Sequence, residues 1–112
     1  MKLQKEILTK SNDDQITLSI NTNGLKATTL IKVNNKLLTT LEDGFSNFNI
    51  GTNTTLKNSK VIVETAVFKT PFSSQSRIGY LIEGASEEIT ESSSSPFVGT
   101  TVNNYSMEIT FD

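Results

Sequence analysis

The sequence predicts an all-β domain, a two-sheet antiparallel sandwich of about seven or eight strands. Three observations predict it: short segments in which apolar and polar residues alternate, turn residues between them at short intervals, and no segment with a sustained helical period. Composition agrees. Ser, Thr and Asn together supply 40 of the 112 residues. Branched Thr suits a pleated surface, Asn and Ser stabilise turns through local hydrogen bonds, and all three are mediocre helix formers. A chain of this length closes one core and is too short for two, so residues 1–112 are expected to form one domain.

The clearest alternation runs from Gln15 to Asn21, where Ile16, Leu18 and Ile20 share one face. The C-terminal stretch repeats it with Tyr105, Met107, Ile109 and Phe111. Met1 to Thr9 is a weaker candidate with Leu3 and Ile7 on one side, and Ser11-Asn12-Asp13-Asp14 reads as a turn joining it to the next strand as a hairpin. Ala27 to Val33 and Lys36 to Glu42 flank Asn34-Asn35, a two-residue loop of residues that tolerate positive φ. Pairing Val33 with Lys36 leaves both faces mixed, which points to a bulge or a longer loop.

Asp43-Gly44 is the next turn, Phe45 to Gly51 reads as an irregular or short strand, and Thr52 to Ser59 as polar loop. Lys60 to Lys69 is the strongest hydrophobic run and is expected at the centre of a sheet, with Val61, Val63 and Val67 inward. Pro71 stops it. Ser73 to Ser76 connects to a strand from Arg77 to Glu83 with Ile78, Tyr80 and Ile82 inward. Ser86 to Glu91 reads as a short edge strand, and Ser92 to Ser95, followed by Pro96 and Gly99, as a loop outside regular sheet. This strand and turn layout resembles immunoglobulin-like and jelly-roll sandwiches in general. No family motif accompanies it, and the Cys pair and Trp of a true immunoglobulin domain are missing. A small closed β-barrel is the alternative architecture.

Residue types narrow the chemistry. The net charge is −2, and the basic residues from Lys2 to Arg77 are scattered, so no patch for nucleic acid is expected. No run approaches the roughly 20 apolar residues of a membrane-spanning helix. Charged Lys2, Lys5 and Glu6 interrupt the place where a signal peptide needs its apolar run, so a cytoplasmic location is the default expectation, with export by another route left open. Histidine and cysteine are absent, which removes the usual general base, the usual zinc and copper ligands and thiolate nucleophiles together. The glycines are isolated, so no phosphate-cradling loop is present. No cofactor and no metal are expected. Asn12-Asp13-Asp14 and Glu87-Glu88 with Glu91 offer oxygen ligands without the spacing of a calcium loop. Asn53-Thr54-Thr55 and Asn104-Tyr105-Ser106 match the glycosylation pattern, as chance predicts in so Asn- and Thr-rich a chain.

Three functions are left. The first is a non-catalytic structural or protein-interaction module, with another copy or another protein as partner. The outward residues of the Lys60 strand, Ile62, Glu64, Ala66 and Phe68, would form its interface, joined by Leu81 if the Lys60 and Arg77 strands are neighbours. The competing expectation is that a loop such as Phe45 to Ile50 covers this face. The second is a small-ligand or carbohydrate binder, with a cavity between the sheets or with Phe72 and Phe97, each beside a proline, as aromatic contacts; both could instead plug the sandwich ends. The third is a hydrolase using Glu64 and Glu83.

Overall fold

A computed structural model describes residues 2–112 and folds them as a β-sandwich of two open sheets. The strands are β1 (Lys2–Ile7), β2 (Gln15–Asn21), β3 (Ala27–Val33), β4 (Lys36–Glu42), β5 (Phe45–Thr52), β6 (Lys60–Phe68), β7 (Gln75–Glu83), β8 (Ile89–Pro96) and β9 (Val102–Phe111). A short helix, α1 (Asn53–Leu56), precedes β6. One sheet has the order β1-β9-β6-β3-β4, the other β5-β2-β7-β8, and neither closes into a barrel. All pairings are antiparallel except β1 with β9.

Alternation places the core as the sequence predicts. Ile16, Leu18 and Ile20 of β2 face Val61, Val63 and Val67 of β6 and the Tyr105 to Phe111 stripe of β9 across one buried cluster, with Ile78, Tyr80 and Ile82 of β7 completing it. Branched side chains interdigitate well between two such faces, and burial of apolar area is the main term holding the sheets together. β6 is central, between β3 and β9, as its unbroken apolar character requires.

The β3–β4 hairpin combines both features expected of it. Asn34 and Asn35 take φ of 51° and 69° in a two-residue loop, and the register then shifts between Ile31 and Lys32, so Ile31 pairs with Thr39 rather than Leu38. The extra residue exposes Leu37 and Leu38 on an edge strand whose bulge discourages further pairing.

Four expectations are corrected. Among the described residues the strands number nine, rather than seven or eight. β1 does not form a hairpin with β2: it runs parallel to β9 in the other sheet, because Ile7 and Leu3 continue the buried face opened by Phe111 and Met107, their register partners. Met1, at the start of that predicted segment, lies outside the described residues. Ser92 to Pro96 is strand: β8 pairs with β7 over its whole length, from Ile82 with Ile89 to Gln75 with Pro96. Serine is tolerated on an edge, and Pro96 ends an edge strand, a place in a sheet where proline is accommodated. The polar segment after β5 contains α1, closed by a capping box in which Thr52 Oγ1 accepts from Thr55 N–H and Thr52 N–H donates to Thr55 Oγ1. Its Leu56 plugs the end of the core.

Two polar devices fasten the sandwich. At the edge where β1 and β8 meet, Lys5 and Glu91 form an ion pair between the sheets. At the end carrying α1, the buried Asn53 side chain donates to the carbonyls of Asp14 and Gly84 (2.8 and 2.9 Å) and accepts from Lys10 N–H (2.8 Å).

Candidate functional site

The strand order decides what the sequence left open about the interface residues. Ile62, Glu64, Ala66 and Phe68 do lie on the outer face of β6, while Leu81 lies on the outer face of β7 in the opposite sheet. The expected union of Leu81 with the other four is therefore corrected. β6 and β7 are consecutive, but the chain crosses from one sheet to the other between them, and the thickness of the sandwich separates their outer faces. β5 also belongs to the other sheet, so Phe45 to Ile50 does not cover the β6 face.

That face is not a continuous apolar patch. Ile62 lies between Lys32 of β3 and Glu108 of β9, its register partners. Ion pairs surround it, from Lys32 to Glu64 (3.2 Å) and from Lys60 to Glu108 (3.4 Å), and lysine stems of this kind shield apolar neighbours while their heads stay wet. Ala66 floors a shallow hollow of ≈ 400 Å³ bordered by Thr28, Leu30, Glu64 and Asn104. Phe68 stands apart at the end of the strand, 42% exposed.

The carboxylate pair fares no better. Glu64 is on one outer face and Glu83 on the other, so the two cannot converge on one bond, and Glu64 is ion-paired with Lys32. Among the described residues no group of three or more acids comes together to hold a metal ion. Asp14 closes a local turn, its N–H donating to Asn12 Oδ1, and Glu91 belongs to the ion pair with Lys5.

The two loop phenylalanines part company. Phe97 is only 8% exposed, outside the main core cluster, and its N–H donates to Ser74 O, so little of its ring is open to a ligand. Phe72 is 99% exposed. It sits in the turn Thr70-Pro71-Phe72-Ser73, where Ser73 N–H donates to Thr70 O (3.2 Å) and Thr70 N–H to Ser73 Oγ (2.8 Å). Pro71 presets the backbone for such a turn. The loop from β8 to β9 runs beside it, tied on by the bond from Lys69 N–H to Thr101 O (2.8 Å), and carries Val98, 79% exposed. Phe68, Phe72 and Val98 therefore share one end of the molecule, the end away from α1. Sequence reading singled out two of the three; Val98 had no signal beyond its place next to Phe97 and Gly99.

A larger feature had no signal in the sequence. A groove of ≈ 960 Å³ lies on the outer face of the β5-β2-β7-β8 sheet, floored around Gly79 and walled by the turns from Thr22 to Lys26 and from Asp43 to Ser46. Inside the core behind it, burial and then the neighbouring Tyr105 push the Tyr80 phenol well above the ordinary tyrosine range. Comparison of the chain with protein-family models, with curated proteins and with solved structures finds no match.

Proposed function

We propose that the domain is a non-catalytic protein-interaction module that self-associates through its Phe72 end. One observation carries this reading: a phenylalanine almost wholly in water, on a turn braced by its own hydrogen bonds, at the end of the molecule where Val98 and Phe68 are also exposed. Large aromatic side chains presented rigidly are the usual anchors of protein interfaces, because they bury much area while losing little conformational freedom. A flexible loop would lose that advantage. The residue types support the non-catalytic half of the reading, since neither His nor Cys is present and the acids of the β6 and β7 strands face apart.

Light scattering across a concentration series tests it. The wild-type chain should exceed monomer mass at high micromolar concentration, and Phe72→Ser, which removes a side chain that packs on nothing in its own chain, should return it to monomer with an unchanged melting temperature. A wild-type monomer throughout the series, or a Phe72→Ser protein of undiminished mass, would overturn the proposal.

A further inference from the structure

Gly79 occupies the middle of β7, paired with Asn21 of β2 on one side and Ser92 of β8 on the other. A glycine at such a place weakens a strand, and the fold does not require one here. Its φ is not in the left-handed region, and an added Cβ would meet nothing nearer than Asn21 Cβ at 3.8 Å, an ordinary contact. Gly84 is the contrast, with φ of 102° and a Cβ that would collide with the Gln15 carbonyl. What Gly79 does produce is the floor of the groove, where bare backbone lies open in one of two cross-strand rows.

Those rows are Ser19, Leu81 and Thr90 above, and Asn21 and Ser92 flanking Gly79, with Arg77 one step below. The side chains of Arg77, Thr90 and Ser92 make no hydrogen bond or ion pair among the described residues. Asn21 accepts from Asn23 N–H through Oδ1, leaving its two amide hydrogens unspent. β7 is paired on both sides, so its backbone groups are consumed and an extended peptide finds no ladder to join. Hydroxyl, amide and guanidinium groups around a bare, partly apolar floor are what the hydroxyl groups and ring faces of a sugar require. The charge selects further. Glu91 is committed to Lys5, whereas Lys26 and Arg77 make no ion pair among the described residues and outweigh the one remaining acid of the lining, Asp43; a guanidinium fork matches a carboxylate.

We propose that this groove is a binding site for a short acidic oligosaccharide, with a sugar ring seated over Gly79 and a uronate carboxylate on Arg77. The site is separate from the Phe72 end and stands or falls without it.

Calorimetric and amide-shift titrations with oligogalacturonate, oligomannuronate and a hyaluronan hexasaccharide test the assignment against neutral cellohexaose. At least one uronate should bind with shifts centred on Gly79, Ser92 and Arg77, at least tenfold tighter than cellohexaose. Gly79→Val should weaken it at least tenfold while the melting temperature holds or rises, because the variant fills the floor with a better strand former; Arg77→Gln should remove the preference for the acidic sugar. No binding by any of the three uronates at millimolar concentration, binding that survives Gly79→Val, or binding of a polyglutamate peptide in place of the uronates would overturn the proposal.

Discussion

The hydroxyls of Tyr105 on β9 and Ser76 on β7 share a hydrogen bond of 2.5 Å across the interior, tying one sheet to the other. Asn103 Nδ2 donates to the same serine oxygen at 2.8 Å and to Ser95 O at 3.0 Å, so the bond belongs to a network that also holds β8. Tyr80, inward on the same strand as Ser76, buries a hydroxyl with no partner among the described residues. The two tyrosines therefore predict opposite results. Tyr105→Phe breaks a satisfied buried network and should cost about 1–3 kcal/mol, whereas Tyr80→Phe should be neutral or stabilising by up to ~1 kcal/mol. Urea unfolding of the two variants measures both, and a loss of stability in Tyr80→Phe would show that its hydroxyl is bonded after all.

Tyr80 also predicts a pH dependence. Burial raises its phenol, with Tyr105 adding to the effect, so the folded protein keeps a proton that the unfolded chain releases near pH 10. Below that pH both states are protonated and the residue contributes no slope. Above it the unfolded state binds fewer protons than the native one, so stability should fall by up to ~1.4 kcal/mol per pH unit. Tyr80→Phe should remove that component, and the gap between variant and wild type in urea midpoints should open between about pH 10 and pH 11.5. A gap that stays constant would mean the phenol ionises normally.

How much of this was legible beforehand depended on whether the signal was local. β2, β6 and β9 could be read because each buries one face and its alternation records which. β8 could be read only at its start, as the edge strand expected around Ile89, since Ser92 to Ser95 is polar with nothing to mark an inside, and its strand character there comes from pairing with β7. Helix α1 is too short for any period to show, and its capping box uses Thr52 and Thr55 in a segment where threonine is common. The separation of Leu81 from Ile62 and the groove over Gly79 are consequences of strand order. Nothing in either strand's own sequence states which sheet it joins.

The inward stripe of β9 predicts a graded series. Ile109 is fully buried opposite Val61, while Ile62, on the outer face of the neighbouring strand, is only half-buried under lysine stems. Ile109→Ala deletes packed volume from the core and should cost about 2–5 kcal/mol. Ile62→Ala should cost less than half as much. Denaturant melts with equal m-values check the ratio, and equal losses would mean that the outer face is packed against something as tightly as the core.

Asn53 predicts the largest effect of any polar residue. Its side chain is fully buried and joins three segments just beyond the paired ends of β2, β5 and β7: the loop from Lys10 to Asp14, the start of α1, and Gly84. Its own N–H adds a bond to Asp14 O at 3.0 Å. Asn53→Ala strands the Lys10 N–H and removes a donor from Gly84 O, while Asp14 O keeps the backbone N–H of residue 53, and each buried group left unsatisfied costs about 1–3 kcal/mol. A total loss of at least about 2 kcal/mol is expected, with Asn53→Asp little better because a carboxylate accepts but does not donate to the two carbonyls. The same geometry bears on modification. Both amide hydrogens of Asn53 are engaged in the interior, so the Asn53-Thr54-Thr55 triplet should stay unglycosylated in folded protein offered an oligosaccharyltransferase, while heat-denatured chain becomes a substrate. Mass spectrometry of the two samples decides it, and a glycan on Asn53 of the folded chain would show that the α1 end opens readily.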